Sequence, residues 1–257
     1  MREYMTVRHN RILEAVNERG SMSIQELCQM FDVSPLTIRR DLAHLESINL
    51  ISRYHGGASR LSSQTLTSFG DSFQNKIDQQ AAEKKRIGRK AAEFISDRDI
   101  IFMNSGTTVL QFLSALTARR ITVVTNNAAA TQCDLDENIS LLMLGGEFHS
   151  QLCSFSGELT IQNIDEIYSS VTILGVNALD FDRGIMTNYF QECGVNNAMI
   201  SHCRGKVIIL ADHTKIGKLS HFVSSPLSKI DIVITDNACP PAYVNELESR
   251  GIQVEVV

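Results

Sequence analysis

None of the apolar runs in these 257 residues approaches the roughly 20 residues that a membrane-spanning helix needs. The opening Met-Arg-Glu-Tyr-Met-Thr-Val-Arg-His is too polar for a secretory signal. Closely spaced cysteines are missing as well. Cys28, Cys133, Cys153, Cys193, Cys203 and Cys239 are scattered, which excludes a zinc knuckle or a redox couplet and predicts free thiols in a reducing cytoplasm. His149, His202, His213 and His221 show neither metal-ligand nor catalytic-triad spacing, so neither a metal nor a cofactor is expected. Nor is there a basic coat: the net charge is −5, and any grip on phosphate must be local. That charge is uneven. Residues 1–60 hold eight Arg, no Lys and seven acids (net +1), while the rest holds sixteen bases and twenty-two acids (net −6). With 43% hydrophobic and 21% charged residues the composition is that of an ordinary globular chain, long enough for a small domain and a medium one.

The stretch Ser34–Leu45 is the most informative. Ser34 is a good N-cap and Pro35 suits the first helical position. Ile38, Leu42 and Leu45 fall on one side of the resulting helix and must be buried. Leu36, Arg39, Arg40 and Ala43 fall on the other. Two adjacent arginines on the free face of a short helix suit the major groove, because a guanidinium can bridge phosphate or grip the O6/N7 edge of guanine. Asp41 reads as a local cap or ion-pair partner.

The neighbours complete a motif. A first helix is predicted over Val7–Arg19, stopped by Gly20, then a short extended Ser21–Ser23. A second helix opens with the capping-box pair Ser23 and Glu26. Asp32-Val33 makes the turn into the third helix, which gives a helix-turn-helix. Leu50–Ala58 alternates and then reaches Gly56-Gly57, which predicts a β-hairpin wing with Arg53 and His55 near its tip. The Ser/Thr-rich residues 59–75 are the expected linker between a head of residues 1–58 and a second domain of residues 76–257.

In that second domain a helix is expected from near Asp78 to Ile95, with Lys84, Lys85, Arg86, Arg89 and Lys90 forming a solvated basic face. Strands are predicted at Ile100–Asn104, Ile121–Thr125, Ile139–Leu144, Val171–Gly175, Lys206–Ala211, Asp231–Thr235 and Gln253–Val257. Helices fall between most of them. The pattern predicts an α/β domain with a mostly parallel, Rossmann-like sheet covered on both faces. Ligands of such sheets sit beyond the carboxyl ends of the strands. Those ends here are polar or glycine-rich: Asn104-Ser-Gly-Thr-Thr108, Thr125-Asn-Asn127, Gly145-Gly-Glu147, Gly175-Val-Asn-Ala178 and Ala211-Asp-His-Thr-Lys215. Gly106 with Thr107 and Thr108 at a helix start would suit an anion.

Ser34-Pro-Leu-Thr-Ile-Arg-Arg-Asp-Leu, followed by Leu45 and Arg53-Tyr-His-Gly-Gly-Ala58, resembles the N-terminal signature of the DeoR family of bacterial transcription regulators. The resemblance extends over nearly the whole chain. It implies that Ser34, Thr37, Arg39 and Arg40 contact double-stranded operator DNA, supported by a wing that contains Arg53, His55 and Gly56. It implies a second domain like ribose-5-phosphate isomerase and the CoA-transferase fold, binding a phosphorylated sugar or a related small molecule. Ser105, Gly106, Thr107 and Thr108 would hold the phosphate. Thr125, Asn126, Gly145 and Gly146 would line the pocket, and Glu192 and Lys215 would face the sugar. Asn104, expected with them in the effector site, stands where the family usually has Asp, and Asn177-Ala178-Leu179 where it usually has a second glycine. The expected function is therefore a cytoplasmic repressor of a carbohydrate-utilisation operon, working as a homo-oligomer (dimer or tetramer). The alternative is an isomerase-like enzyme with a fused DNA-binding head, using Glu192 as base and Lys215 as electrostatic stabiliser.

Overall fold

The structure, a computed structural model, describes residues 7–47, 51–54, 56–60 and 71–257. They divide into two compact units, Met1–Thr67 and Ser68–Val257.

The first unit runs α1 (Val7–Arg19), β1 (Ser21–Ser23), α2 (Ile24–Phe31), α3 (Pro35–Ser47), β2 (Ile51–Tyr54) and β3 (Gly57–Arg60). Local chemistry sets the boundaries. Gly20, at φ +80°, ends α1. The Glu26 amide donates to Ser23 Oγ at 3.2 Å while Glu26 accepts from the Ser23 amide at 2.8 Å, which closes the capping box. Asp32 ends α2 in the left-handed conformation. The Ser34 hydroxyl accepts from the Thr37 amide at 3.3 Å and starts α3. The three short strands pair antiparallel in the order β1-β3-β2, so the hairpin also carries the residues between α1 and α2. Ile12, Val16, Met22, Leu27, Ile38, Leu42, Leu45, Ile51 and Ala58 form the buried core. This is a winged helix-turn-helix.

The second unit begins with α4 (Asp71–Asp78) and α5 (Ala81–Ala92), where one helix from Asp78 is the expectation. Gln80 breaks the helix with φ +52°. Phe73 and Ile77, one turn apart, pack against Ala129 and Cys153, and this apolar pair draws the end of the expected linker, from Asp71, into a helix. There follow β4 (Ile100–Met103), α6 (Thr107–Leu113), β5 (Ile121–Thr125), β6 (Ile139–Met143), β7 (Glu147–His149), β8 (Ser154–Ser156), α7 (Glu158–Asp165), β9 (Ser169–Gly175), β10 (Ala178–Asp180), β11 (Gly184–Thr187), α8 (Phe190–Ser201), β12 (Cys203–Leu210), β13 (Phe222–Ser225), β14 (Ile232–Thr235), α9 (Pro241–Ser249) and β15 (Gln253–Val256). All seven predicted strands enter one sheet of order β15-β14-β12-β9-β4-β5-β6, parallel throughout. Successive residues serve opposite faces. Ile101, Met103, Ile173, Ile208 and Ile234 pack in one core with α5 and α6, while Phe102, Leu174, Ile209 and Val233 pack in the other with α7, α8 and α9.

Between β4 and β9 the chain reverses its direction of travel across the sheet, which opens a crevice at their carboxyl ends. A second sheet, antiparallel β10-β11-β13, stands beside that crevice. All six cysteines are free, and burial pushes the Cys153 thiol up to about 12. Among the described residues no helix is long and apolar enough to cross a membrane, and no cluster of His, Cys, Asp or Glu is disposed to hold a metal.

Candidate functional site

In the head, Arg39, Arg40 and Ser34 are exposed and Thr37 is half-buried, on the side of α3 away from Ile38, Leu42 and Leu45. Ser34 and Thr37 are engaged with each other, their hydroxyl oxygens 3.0 Å apart. Asp41 is buried beneath this face. Arg8 of α1 grips it with two bonds, Nε to Oδ2 at 2.6 Å and Nη2 to Oδ1 at 3.1 Å, and His9 Nε2 lies 3.1 Å from Oδ1. Burial alone would raise the Asp41 pKa. The hydrogen bonds from Arg8 and His9 outweigh it and hold the carboxyl below its usual range. Asp41 is thus the clasp that fixes α3 to α1. Arg53 pairs through its backbone with Ala58 in the hairpin, and Gly56 is exposed in the turn, its carbonyl accepting from the Ile24 amide at 2.9 Å. His55 lies outside the described residues.

In the second unit the crevice between β4 and β9 is a cavity of about 240 Å³. It gathers six of the residues expected to hold an effector: Ser105, Gly106, Thr107, Thr108, Glu192 and Lys215. Glu192 reaches it from the first turn of α8, accepting from Ser105 Oγ at 3.3 Å and from the Thr187 hydroxyl. Burial pushes the Glu192 carboxyl up, against the pull of these hydrogen bonds and of Lys76. Lys215 is presented by a loop docked on β10: the Leu179 amide donates to the Lys215 carbonyl at 2.9 Å, and Gly217 donates to Leu179 at 2.8 Å.

The other five expected residues lie outside the lining. Asn104 is only 4% exposed and stitches the ends of β4 and β9 together. Its Nδ2 donates to the Gly175 carbonyl and to Asn196 Oδ1, both at 2.9 Å, while its Oδ1 accepts from the Gly175 amide at 2.9 Å. A carboxylate could not make the two donations, so the amide at position 104 joins the sheet ends in a way that an Asp there could not. Thr125 is fully buried and accepts from the Asn127 amide at 3.1 Å, and Asn126 donates to the Phe155 carbonyl at 2.7 Å. Gly145 accepts from Thr160 Oγ1 at 2.7 Å. Gly146 has φ +146°, and a Cβ there would meet the Ser156 carbonyl at 2.6 Å, so its role is close packing.

Sequence reasoning missed two cations on the lining, Lys76 and Lys84. Lys84, expected on a solvated face, is 5% exposed. Its spacing to Ile87, Gly88 and Ala91 was the available signal, because all four share the buried stripe of α5. Burial lowers its pKa; Asp212 opposes that effect and the ammonium groups of Lys215 and Lys76 add to it. The Lys84 ammonium donates to the Lys76 carbonyl in the last turn of α4, and Thr107 Oγ1 donates to the same carbonyl at 3.3 Å. Asn127 supports the opposite wall, donating to the Gly106 carbonyl at 3.1 Å. Asn177, in the segment that departs from the family pattern, lies on the lining with its Oδ1 3.0 Å from Thr187 Oγ1.

The arrangement is a small cavity lined by three lysines, Lys76, Lys84 and Lys215, and two carboxyls, Glu192 and the buried Asp212, suited to an anionic molecule bearing hydroxyl groups. Comparison with known proteins agrees with both halves of the chain. Residues 8–64 match the model of the DeoR-like helix-turn-helix domain, and residues 79–237 that of the DeoR C terminal sensor domain. The glycerol-3-phosphate regulon repressor of Escherichia coli (strain K12) is 35% identical over 253 residues, 98% of each chain. The HTH-type transcriptional repressor GlcR of Bacillus subtilis (strain 168) is 30% identical over 246 residues, covering 95% of this chain and 93% of that one. A ribose 5-phosphate isomerase A from Methanocaldococcus jannaschii overlays at a TM-score of 0.39 with 13% identity, covering 55% of this chain and 56% of that one, a likeness too slight to carry an argument. On the strength of both domain models and of relatives matched along their length, the chain belongs to the DeoR family of DNA-binding transcriptional regulators.

Proposed function

We propose that this protein is a cytoplasmic repressor of a carbohydrate-utilisation operon, released from its operator by a phosphorylated sugar or sugar derivative bound in the second unit. Family membership favours a regulator over the isomerase-like alternative. Ser34, Thr37, Arg39, Arg40, Arg53, His55 and Gly56 form the operator-contacting set, with the arginines supplying most of the electrostatic grip. Two or more copies act together, because one small head with few cations supplies too little affinity and specificity alone.

The observation that carries the reading is the shared carbonyl of Lys76. Its two donors, Lys84 and Thr107, both line the cavity, and the helix whose last turn it belongs to is the first element after the head among the described residues. A phosphate in the cavity competes for both donors. An occupied cavity therefore loosens α4, and an empty one holds it. Coupling of about 1–3 kcal/mol is ordinary for such devices.

The test is fluorescence anisotropy of the full chain on DNA from upstream of its own gene. The measurement is repeated with glycerol 3-phosphate and a panel of other phosphorylated sugars and polyols, each beside its unphosphorylated form. Salt-sensitive DNA binding weakened by a phosphorylated compound alone is expected. DNA binding that no phosphorylated compound alters would overturn the effector half of the reading, and absence of DNA binding would overturn all of it.

A further inference from the structure

Leu36 occupies the first turn of α3 and is 69% exposed. The head does not need it there: Ile38, Leu42 and Leu45, all at most 1% exposed, supply the whole of that helix's contribution to the core. On the helical wheel Leu36 falls with Arg39 and Arg40, one turn ahead of them. Its polar neighbours in the first turn are engaged locally, Ser34 capping the helix and Thr37 bonded to Ser34. Leu36 is therefore the large side chain that the leading turn of the reading helix offers outward. In this motif the N-terminal residues of that helix meet base edges.

An isobutyl group can neither donate nor accept a hydrogen bond. Pressed onto the guanine O6/N7 or cytosine N4 edge, it would leave those groups without water or partner. The major groove holds one apolar feature that it can cover, the C5 methyl of thymine. The adjacent arginines bring the anionic duplex to this face, which sets DNA apart from an apolar protein partner. We propose that Leu36 is a base-reading residue that packs against a thymine C5 methyl in each half-site and selects thymine over cytosine there. The inference rests on the operator-binding reading.

The test begins with selection of preferred duplexes from a randomised pool by the full chain. Each thymine of the selected site is then replaced singly by deoxyuridine, which removes the methyl and nothing else. Burial of one methyl corresponds to about fourfold in affinity. The wild-type chain is expected to lose about fourfold at one thymine per half-site, Leu36→Met to keep most of that sensitivity, and Leu36→Ala to lose it. In the same position, 5-methylcytosine should bind the wild type better than cytosine does. Because Leu36 is exposed, unchanged thermal unfolding of both variants is expected. Tight, selective binding with no methyl-sensitive thymine would overturn the proposal, as would equal sensitivity in Leu36→Ala. Failure to select any sequence would instead strike at operator binding itself, and the proposal would fall with it.

Discussion

Replacing Lys84 by Met tests whether the buried ammonium serves a ligand or the fold. Met has similar length and fills the same slot on α5. What disappears is the charge and its bond to the Lys76 carbonyl. A hydrogen bond from a charged group is worth about 1.5–3 kcal/mol. Against this stands the cost of keeping an amine 5% exposed beside Lys215 and Lys76, which the substitution removes. The two effects oppose each other, so the ligand-free second unit should change stability by no more than about 1 kcal/mol. Ligand binding has no such offset. Loss of one charge-assisted contact to a phosphate should raise Kd about 10- to 150-fold.

Thermal unfolding separates the two outcomes. At a ligand concentration of 100 times the wild-type Kd, the wild type gains about 2.7 kcal/mol. If Kd rises a hundredfold, the same concentration gives K84M only about 0.4 kcal/mol. For a unit of this size that is a rise of about 5–10 °C in the wild type against about 1 °C in the variant. A K84M protein that loses more than about 3 kcal/mol without ligand, or that keeps the full ligand-induced rise, would refute the assignment of Lys84 to the ligand.

Replacing both Arg39 and Arg40 by Ala should abolish measurable operator binding while leaving the ligand-induced rise in Tm unchanged, read by anisotropy and thermal shift on one preparation. Asp41→Asn should destabilise the head by about 1–2 kcal/mol, since Arg8 is partly exposed and water softens its loss. Because the Asp41 pKa is lowered in the folded head, its stabilisation is present above the ordinary carboxylate range and is lost as pH falls through the lower, folded value. The difference between wild type and D41N should thus shrink below about pH 4 in urea unfolding. Glu192 has the opposite sign: its raised pKa means that the fold favours the protonated form, so its contribution falls as pH rises from the ordinary glutamate value to the raised one. Glu192→Gln should gain on the wild type across that window and hold a constant difference above it.

The parts of this molecule that the sequence reveals are those where packing has only one solution. Residues 171–174, 207–210 and 232–234 are buried on both faces of a parallel sheet, which demands unbroken β-branched and aliphatic runs. In the head, Ser23, Glu26, Asp32 and Ser34 sit where orphan amides and carbonyls need them, so helix ends could be read to the residue. By contrast β7, β8 and β10 are three residues long, too short for alternation to register. The site was half legible for a related reason. Ser105, Gly106, Thr107 and Thr108 follow a strand in a recognisable turn. Asn104, Thr125 and Asn126 look the same in sequence, but their hydrogen bonds go to protein groups: Asn104 to the end of β9, Thr125 to the Asn127 amide and Asn126 to β8.

Lys76 is illegible for a deeper reason, and the same reason makes it suited to control. Its carbonyl, which any residue supplies, takes hydrogen bonds from two groups of the cavity wall, Lys84 and Thr107. Composition therefore says nothing about it. The specificity lies in the donors, and those are read as ligand-binding groups in their own right. In the proposed reading a ligand takes both donors from the carbonyl, so α4 would feel occupancy without any movement of the sheet. The Thr107 bond, at 3.3 Å, belongs at the weak end of about 0.5–1.5 kcal/mol, and the Lys84 bond carries about 1.5–3. Together they overlap the range of about 1–3 kcal/mol typical of coupling between sites. Conservative replacement of Thr107 by Val should accordingly weaken ligand binding while raising the ligand-free fraction of DNA released only slightly. Replacement of Lys84 should do more of both, in proportion to the stronger bond. If the two variants altered ligand affinity but left ligand-free operator binding identical to wild type, the carbonyl would be a bystander, and the signal would have to leave the cavity by another route.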